Sequence, residues 1–274
     1  MKIVMTLAVR NEQDIIRENI EFHLRSGVDI FIVTDNLSTD NTKKILQEYV
    51  ERGVVHYIYN NENTHDQAKW VTDMCKIAHT LYSPDWIINC DADEFWYTSD
   101  LNLKSFFSSQ QQNNFVNVQR YDFVAVNRQH TFFYEDMLYR RTKSSPIKCA
   151  HRSSDSISVG FGNHYATHPV WGRSTHIPQQ PVESIIILHY PLRSISQIYS
   201  KITLGAQAIL NNKKYGPGCC KQWKTRYQHI QKDQNMSYIQ DNEIFTENKI
   251  ERFIKEKKII KDLRLKNFFY SSNL

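Results

Sequence analysis

Over its first hundred residues the chain alternates four short apolar stretches with three helical ones, and this rhythm restricts its fold more than any other feature. Lys2 to Leu7 is a short apolar strand, and Asn11 to Arg25 then carries Ile15, Ile16, Ile20, Phe22 and Leu24 near helical spacing. Ser26-Gly27 stops that helix, because glycine suits a left-handed cap. Asp29 to Thr34 is a second buried strand, Thr42 to Arg52 a second helix ending at Gly53, and Val54 to Tyr59 a third strand. Asp66 to Leu81 is a third helix, and Trp86 to Cys90 a fourth strand. Strands alternating with helices predict a parallel sheet with right-handed crossovers, an α/β open sheet of Rossmann-like kind.

In such a sheet the carboxyl ends of the strands share one edge, and ligands bind in the crevice beyond it. That edge gathers Ala8 to Glu12, Asp35-Asn36, the segment around His65-Asp66, and Asp91-Ala92-Asp93-Glu94-Phe95. Three carboxylates directly after a buried strand repel one another unless a cation or positive partner stands between them. A divalent metal carrying a phosphate is the economical explanation. An isolated D-x-D would be read as a solvated turn; the strand before it and the repeats upstream favour a site.

Beyond Asp100 the rhythm changes. A short helix near Leu101 to Ser109 precedes strand-like stretches at Phe115 to Gln119, Phe123 to Val126, Pro146 to Ala150, Ile157 to Phe161 and Ile185 to Leu188. From Ser194 to about Asn211 the pattern is helical. No repeat or low-complexity linker interrupts the chain. The expected organisation is a domain over 1–210 with a basic helical extension over 211–274 packed on it. Within that extension, 248–267 mixes Lys and Arg with Ile250, Phe253, Ile254, Ile260 and Leu263. The pattern predicts one amphipathic basic helix, packed on the core or touching an anionic membrane surface.

Composition narrows the class. Apolar residues make up 41% and charged residues 23% of 274, as in ordinary globular chains. No run approaches a membrane span, and Met1 to Ala8 is too short for a signal-peptide core, so a cytoplasmic protein is expected, with peripheral contact at the inner membrane face. Five cysteines without framework spacing argue against a disulfide scaffold, and Cys90 is expected in the core. The net charge of +5 suits phosphorylated ligands but lacks a nucleic-acid signature.

Three segments together resemble a known family: Leu7-Ala8-Val9-Arg10-Asn11-Glu12, Val33-Thr34-Asp35-Asn36-Leu37-Ser38-Thr39-Asp40 and Asp91-Ala92-Asp93-Glu94-Phe95. They are similar to GT-A fold glycosyltransferases, within the family-2-like group that carries D-x-D-E-F. That group also shows H-Y-x-x-[KR]-S followed by a lysine, here His189 to Ser194 with Lys201. The match runs from about Met1 to Gly205.

The resemblance implies a nucleotide-sugar donor, UDP-linked in the first instance, a divalent metal (Mn²⁺ or Mg²⁺) and sugar transfer with inversion to a glycan or lipid-linked acceptor. It assigns the metal to Asp93, with Asp91 touching it through water or holding the ribose, and His189 completing the shell. A mixed O/N set suits manganese better than magnesium. On the nucleotide side stand Ala8, Arg10, Glu12, Asp35, Asn36, Asp66, Lys69, Asp91 and Ala92, with Arg193 and Lys201 offsetting the diphosphate charge. The general base stays open among Asp122, Asp155 and Glu183, with Glu94 beside the metal, because the E-D pair of many family-2 members is absent. His164, in Gly162-Asn163-His164, and Trp171 are expected on the acceptor side.

Two other readings compete. A sugar-phosphate nucleotidyltransferase would need a glycine-rich basic loop after the first strand, where Ala8-Val9-Arg10-Asn11 stands. A non-catalytic sugar-binding protein on the same fold would be expected to have lost one of Asp91, Asp93, Glu94 or His189. Abundant Asn, Lys and Ile suggest a microbial or viral source, hence surface polysaccharide synthesis.

Overall fold

The computed structural model describes residues 1–64, 66–127, 129–174, 184–212, 221–232 and 236–271. The expected alternation runs β1 (Ile3–Val9), α1 (Ile16–Arg25), β2 (Ile30–Asn36), α2 (Thr42–Glu51), β3 (Val55–Asn60), α3 (Gln67–Tyr82) and β4 (Trp86–Cys90). There follow β5 (Glu94–Thr98), α4 (Leu103–Ser108), β6 (Phe115–Asp122), β7 (Ala125–Val126), α5 (Phe133–Asp136), β8 (Tyr139–Arg141) and β9 (Ser145–Arg152). Next come β10 (Ser158–Val159), a 3-10 turn at Phe161–Asn163, β11 (Ala166–His168), β12 (Gly172–Arg173) and β13 (Ile185–His189). The chain ends with α6 (Ile195–Asn211), α7 (Lys221–Lys232), α8 (Ser237–Asn242), β14 (Ile244–Phe245), α9 (Glu247–Lys255), β15 (Ile259–Lys261) and α10 (Arg264–Ser271).

The chain divides into two units, so far as its residues are described. The first holds Met1–Glu62, Asp66–Arg120 and Ser144–His189; the second holds Asn63–His65, Tyr121–Lys143 and Tyr190–Leu274. Among the described residues no helix is long and apolar enough to cross a membrane.

The first unit is built on a sheet ordered β3-β2-β1-β4-β9-β6-β13-β5. β1 pairs in parallel with β2 and β4, and β2 with β3. β9 is antiparallel to β4 and to β6, and β13 is antiparallel to β5. Only Asp91 to Asp93 separate β4 from β5, yet three strands stand between them in the order. Four residue steps reach about 14 Å, whereas four strand spacings in a flat sheet need about 19 Å. The sheet therefore curls, and the acid turn sits where it curls.

Apolar runs explain the parallel half. Every residue of β4 is buried, as expected for a strand covered on both faces. Val4, Ile32 and Ile87 pack with Val71, Met74, Cys75 and Ala78 of α3 in one cluster. Two buried polar side chains in this layer serve each other: Thr6 Oγ1 donates to Asn89 Oδ1 at 3.0 Å, and Asn89 Nδ2 donates to the Cys149 carbonyl at 3.3 Å. Cys75, Cys90 and Cys149 are buried free thiols, so Cys90 lies in the core as expected. Cys219 and Cys220 lie outside the described residues.

β5 ends the sheet, and His23 of α1 serves it. The Trp96 N–H donates to His23 Nε2 at 3.1 Å, while His23 Nδ1 donates to the Asn19 carbonyl at 2.8 Å. This ring is neutral: burial lowers its pKa to about 3.

In the second unit, Ile198 and Ile202 of α6 pack with Ala125, Ile230, Ile239 and Ile244. β14 pairs in parallel with β7, and β15 pairs antiparallel with β8. Here the single helix expected over 248–267 is corrected. α9 stops at Lys255, the chain turns at Lys257 with φ +55°, and Ile259 to Lys261 join β8 as a strand. Ile260 keeps helical spacing with Phe253 but is 42% exposed, while its neighbour Ile259, on the other side of that helical wheel, packs with Val124 and Phe245 from the strand. The helical period holds only through α9; beyond Lys257 the strand's two-residue alternation turns Ile259 inward and Ile260 outward.

Candidate active site

The parallel register sets Val9 opposite Asp35, Ala8 opposite Thr34, Asn36 opposite Asn60 and Leu7 opposite Cys90. The carboxyl ends of β1, β2, β3 and β4 therefore share one edge, as the sequence predicted. Asp35 is fully buried there and accepts from Tyr57 Oη at 2.9 Å and from the Ser38 N–H at 3.0 Å. Burial and then Asp35 itself hold the Tyr57 phenol well above its usual range. Asn36 Nδ2 donates to the Glu62 carbonyl at 2.7 Å. Burial lowers the Arg10 pKa, against the pull of Asp35.

The loop after β1 is tied to the loop after β2. The Asn11 N–H donates to Ser38 Oγ at 3.0 Å, the Thr39 N–H to Asn11 Oδ1 at 2.8 Å, and the buried Glu12 N–H to Thr42 Oγ1 at 2.8 Å. Asp40 serves the start of α2, accepting from the Thr42 N–H at 2.9 Å. Asp66 precedes α3 without a side-chain cap bond. Lys69 is exposed and pairs with Asp73 at 2.6 Å.

The acid turn is where charge concentrates. Asp91 Oδ1 accepts from Gln67 Nε2 at 2.9 Å and Asn163 Nδ2 at 3.2 Å. Asp91 Oδ2 accepts from Lys148 Nζ. Lys148, fully buried on β9, also lies 3.1 Å from Glu94 Oε1, and Arg120 of β6 donates to the same oxygen at 2.8 Å. Glu94 Oε2 accepts from the Asp91 N–H at 3.2 Å. Asn19 Nδ2 holds the turn from below, donating to the Ala92 and Glu94 carbonyls at 2.9 and 2.8 Å.

These contacts set the ionisation. Burial would push the Lys148 ammonium down, but Asp91 and Glu94 outweigh it and its pKa lies above the ordinary value. Burial likewise opposes the Asp91 charge, and Lys148 overcomes it, so the Asp91 pKa lies below the ordinary value. The positive partner that three adjacent acids require is thus supplied by the protein itself.

Asp93 is nearly buried and has a different partner. His189 sits opposite Glu94 in the β13–β5 pairing, and its Nε2 lies 3.4 Å from Asp93 Oδ1. Asp93 and His189 offer a carboxylate and an imidazole, a donor pair that fits a manganese-like ion. Asp91, with both oxygens engaged, is not gathered with them: among the described residues no three His, Cys, Asp or Glu side chains stand together as a metal cage.

His164 lies beside this turn. Its Nδ1 donates to the Ile147 carbonyl at 2.7 Å, and burial, then Lys148, lower its pKa. Gly162 has φ +68°, and a Cβ there would fall 2.6 Å from His164 Nε2, which explains the glycine in Gly162-Asn163-His164. Trp171 stacks on His168 at 3.8 Å between centroids and meets Phe115 edge-on. Asp155 is exposed and accepts from Ser156 Oγ.

Asp122, Arg193 and Lys201 belong to the second unit. There Arg193 is fully buried and donates to the Tyr190 carbonyl at 3.0 Å. Glu183 lies outside the described residues, as does His65. Sequence reasoning missed Lys148, Arg120 and Asn163. One signal pointed to Lys148: a lone charge inside the apolar run Ile147-Lys148-Cys149-Ala150.

Comparison with known proteins adds the following. The family model described as "Glycosyl transferase family 2" matches residues 6–157, more than half of the chain. Over 111 residues the chain is 24% identical to the uncharacterized protein MJ0544 of Methanocaldococcus jannaschii, covering 39% of this chain and 48% of that protein. The chain thus spans about half the length of that curated relative. Among solved structures it is similar to S. aureus TarS 1-349, with a TM-score of 0.41 and 12% identity over 90% of this chain and 76% of that one. It is also similar to mannosyl-3-phosphoglycerate synthase from Rubrobacter xylanophilus, with a TM-score of 0.34 and 16% identity over 45% of this chain and 41% of that one.

Proposed function

The chain belongs to glycosyl transferase family 2, and from that premise we propose that it moves a sugar from a nucleotide-diphosphate donor, a UDP-sugar in the first instance, to a glycan or lipid-linked acceptor. The observation that carries this reading is the shared edge of β1 to β4, which lies within the family match and joins buried Asp35 to the acid turn after β4. Carboxylates beside backbone amides at such an edge suit a nucleoside.

In this reading Asp35, held by Tyr57 and Ser38, accepts a hydrogen bond from a base N–H. The Ala8 to Glu12 loop and Asn36 border the nucleoside, with Asp66 and Lys69 on its far side. Asp91 is a fixed acceptor for a ribose hydroxyl, and Ala92 lines the turn. Arg193 and Lys201 are proposed, from their motif, as cations for the diphosphate.

Asp93 and His189 would hold a divalent ion, Mn²⁺ before Mg²⁺. When bound, such an ion neutralises the departing diphosphate. Glu94 is fully buried among Arg120, Lys148 and the Asp91 N–H, and it orders the turn. The base of an inverting transfer is then sought between Asp122 and Glu183, with His164 toward the acceptor. Asp155, which follows a strand end paired with Trp86, and Trp171, packed on Phe115, stand by the amino end of β4, away from the acid turn.

Peripheral attachment of a cytoplasmic enzyme to an anionic membrane is proposed for 248–267. Ile254 and Ile260, each 42% exposed among lysines, support it. Sedimentation with anionic against neutral vesicles tests it, and equal binding to both refutes it.

The test of the function is turnover. The protein is incubated with UDP-, GDP- and dTDP-sugars, Mn²⁺ and a pool of glycan and lipid-linked acceptors, and nucleotide release is followed. Release from one nucleotide class is expected; folded protein that neither binds nor turns over any of them contradicts the reading.

A further inference from the structure

Lys148 is a buried ammonium set among the acids of the turn. Its side chain reaches Asp91 Oδ2 and stands 3.1 Å from Glu94 Oε1, with Arg120 as a second cation on Glu94. The other Asp91 oxygen is taken by Gln67, at the start of α3, and by Asn163, in the 3-10 turn. Three donors from three elements thus engage both oxygens of one carboxylate. Two residues on, Asp93 is paired with His189.

We infer that Lys148 is a positioning residue, an internal cation that fixes Asp91 and Glu94 and closes Asp91 to a metal ion. A dication sharing an Asp91 oxygen with this ammonium would meet it at short range in a buried setting, where like charges are poorly screened. The ion is therefore confined to Asp93 and His189, and Asp91 is kept as a hydrogen-bond acceptor of fixed direction. Without Lys148, Asp91 and Glu94 would be left with less compensating charge, and such a pair recruits cations. The inference rests on the donor-site reading above.

The test is Mn²⁺ binding, read as free Mn²⁺ by electron paramagnetic resonance with UDP present. It uses the wild type and Asp91→Asn, Asp93→Asn, Lys148→Met and Lys148→Arg. Asp93→Asn should weaken Mn²⁺ binding about tenfold or more, while Asp91→Asn, at UDP concentrations that saturate each variant, should weaken it several times less. Lys148→Met should bind Mn²⁺ at least about fivefold more tightly, a gain that Lys148→Arg does not show and that Asp91→Asn removes when added to it. Equal losses from Asp91→Asn and Asp93→Asn, or a folded Lys148→Met protein with unchanged affinity, overturn the inference while sparing the donor-site reading. Wild-type protein that takes up no Mn²⁺ with UDP overturns both. Should Lys148→Met fail to fold, as read by circular dichroism, the comparison of the two aspartate variants decides alone.

Discussion

His189 Nε2 lies 3.4 Å from Asp93 Oδ1, because β13 pairs antiparallel with β5 and sets His189 opposite Glu94. A motif residue almost a hundred positions downstream thereby reaches the acid turn. Asp93→Ala is expected to abolish Mn²⁺-dependent UDP binding, and His189→Ala to weaken it about tenfold, roughly 1.4 kcal/mol. Isothermal titration with and without Mn²⁺ checks both. Unchanged metal dependence in Asp93→Ala would remove Asp93 from this role.

Asp35 gives a second prediction. Removing its carboxylate leaves the Tyr57 hydroxyl and the Ser38 N–H without their acceptor. Asp35→Ala should cost about 1–3 kcal/mol of stability as well as nucleotide affinity. Tyr57→Phe should cost about 1 kcal/mol or less and leave nucleotide affinity near wild type. Chemical denaturation and UDP titration of the two variants separate the effects. Equal nucleotide affinity in both would exclude Asp35 as a base contact.

The glycines before His164 are fitted to side chains. A Cβ on Gly160 would lie 2.2 Å from the Tyr165 ring, and one on Gly162 would meet His164 in a backbone of φ +68°. Gly162→Ala should lower stability by about 1 kcal/mol or more and displace the imidazole. The His164 ring resonances in a proton–nitrogen NMR spectrum would move; a spectrum matching the wild type would show that the ring does not depend on this glycine.

Buried histidines make the fold acid-sensitive. Burial lowers His23 to about 3 and His151 to about 4, both from 6.5. The unfolded chain thus binds these protons first as pH falls. The stabilisation is complete above about pH 6.5 and is lost progressively as pH drops toward the folded values, at up to about 1.4 kcal/mol per unit for each ring. Urea unfolding at about pH 7.5 and about pH 5 should show this decline. His23→Gln should be less stable at neutral pH, since the Trp96 N–H loses its acceptor, and its decline with acid should be shallower. A decline as steep as the wild type's would exonerate His23.

The parallel half of the fold was legible because β1, β2 and β4 are near-continuous apolar runs and Gly27 and Gly53 mark where the first two helices stop. The acid turn was legible for the same reason, as polar residues directly after the run Trp86 to Cys90. β5 was hidden, since Phe95-Trp96-Tyr97 reads as a tail of the acid run until β13 arrives from far downstream to pair with it. Over 248–267 the helical spacing of Ile250, Phe253 and Ile260 concealed β15, where strand alternation buries Ile259 and leaves Ile260 exposed. Lys148 and Arg120 belong to no motif. Lys148 is brought to the acid turn by the pairing of β9 with β4, which sets Ala150 opposite Ile88, and Arg120 by β6, the next strand; the curl then brings Glu94 of β5 to both. The metal that three acids suggested has, at two of them, a lysine and an arginine standing in that place.

The most direct measurement of the central claim is a crystal structure with UDP and Mn²⁺. The nucleoside is predicted at the common edge of β1, β2 and β4, with the base near Asp35, the ribose near Asp91, and the ion on Asp93 and His189. Nucleotide bound away from that edge, or an ion held by Asp91 with Lys148 displaced, would contradict the account.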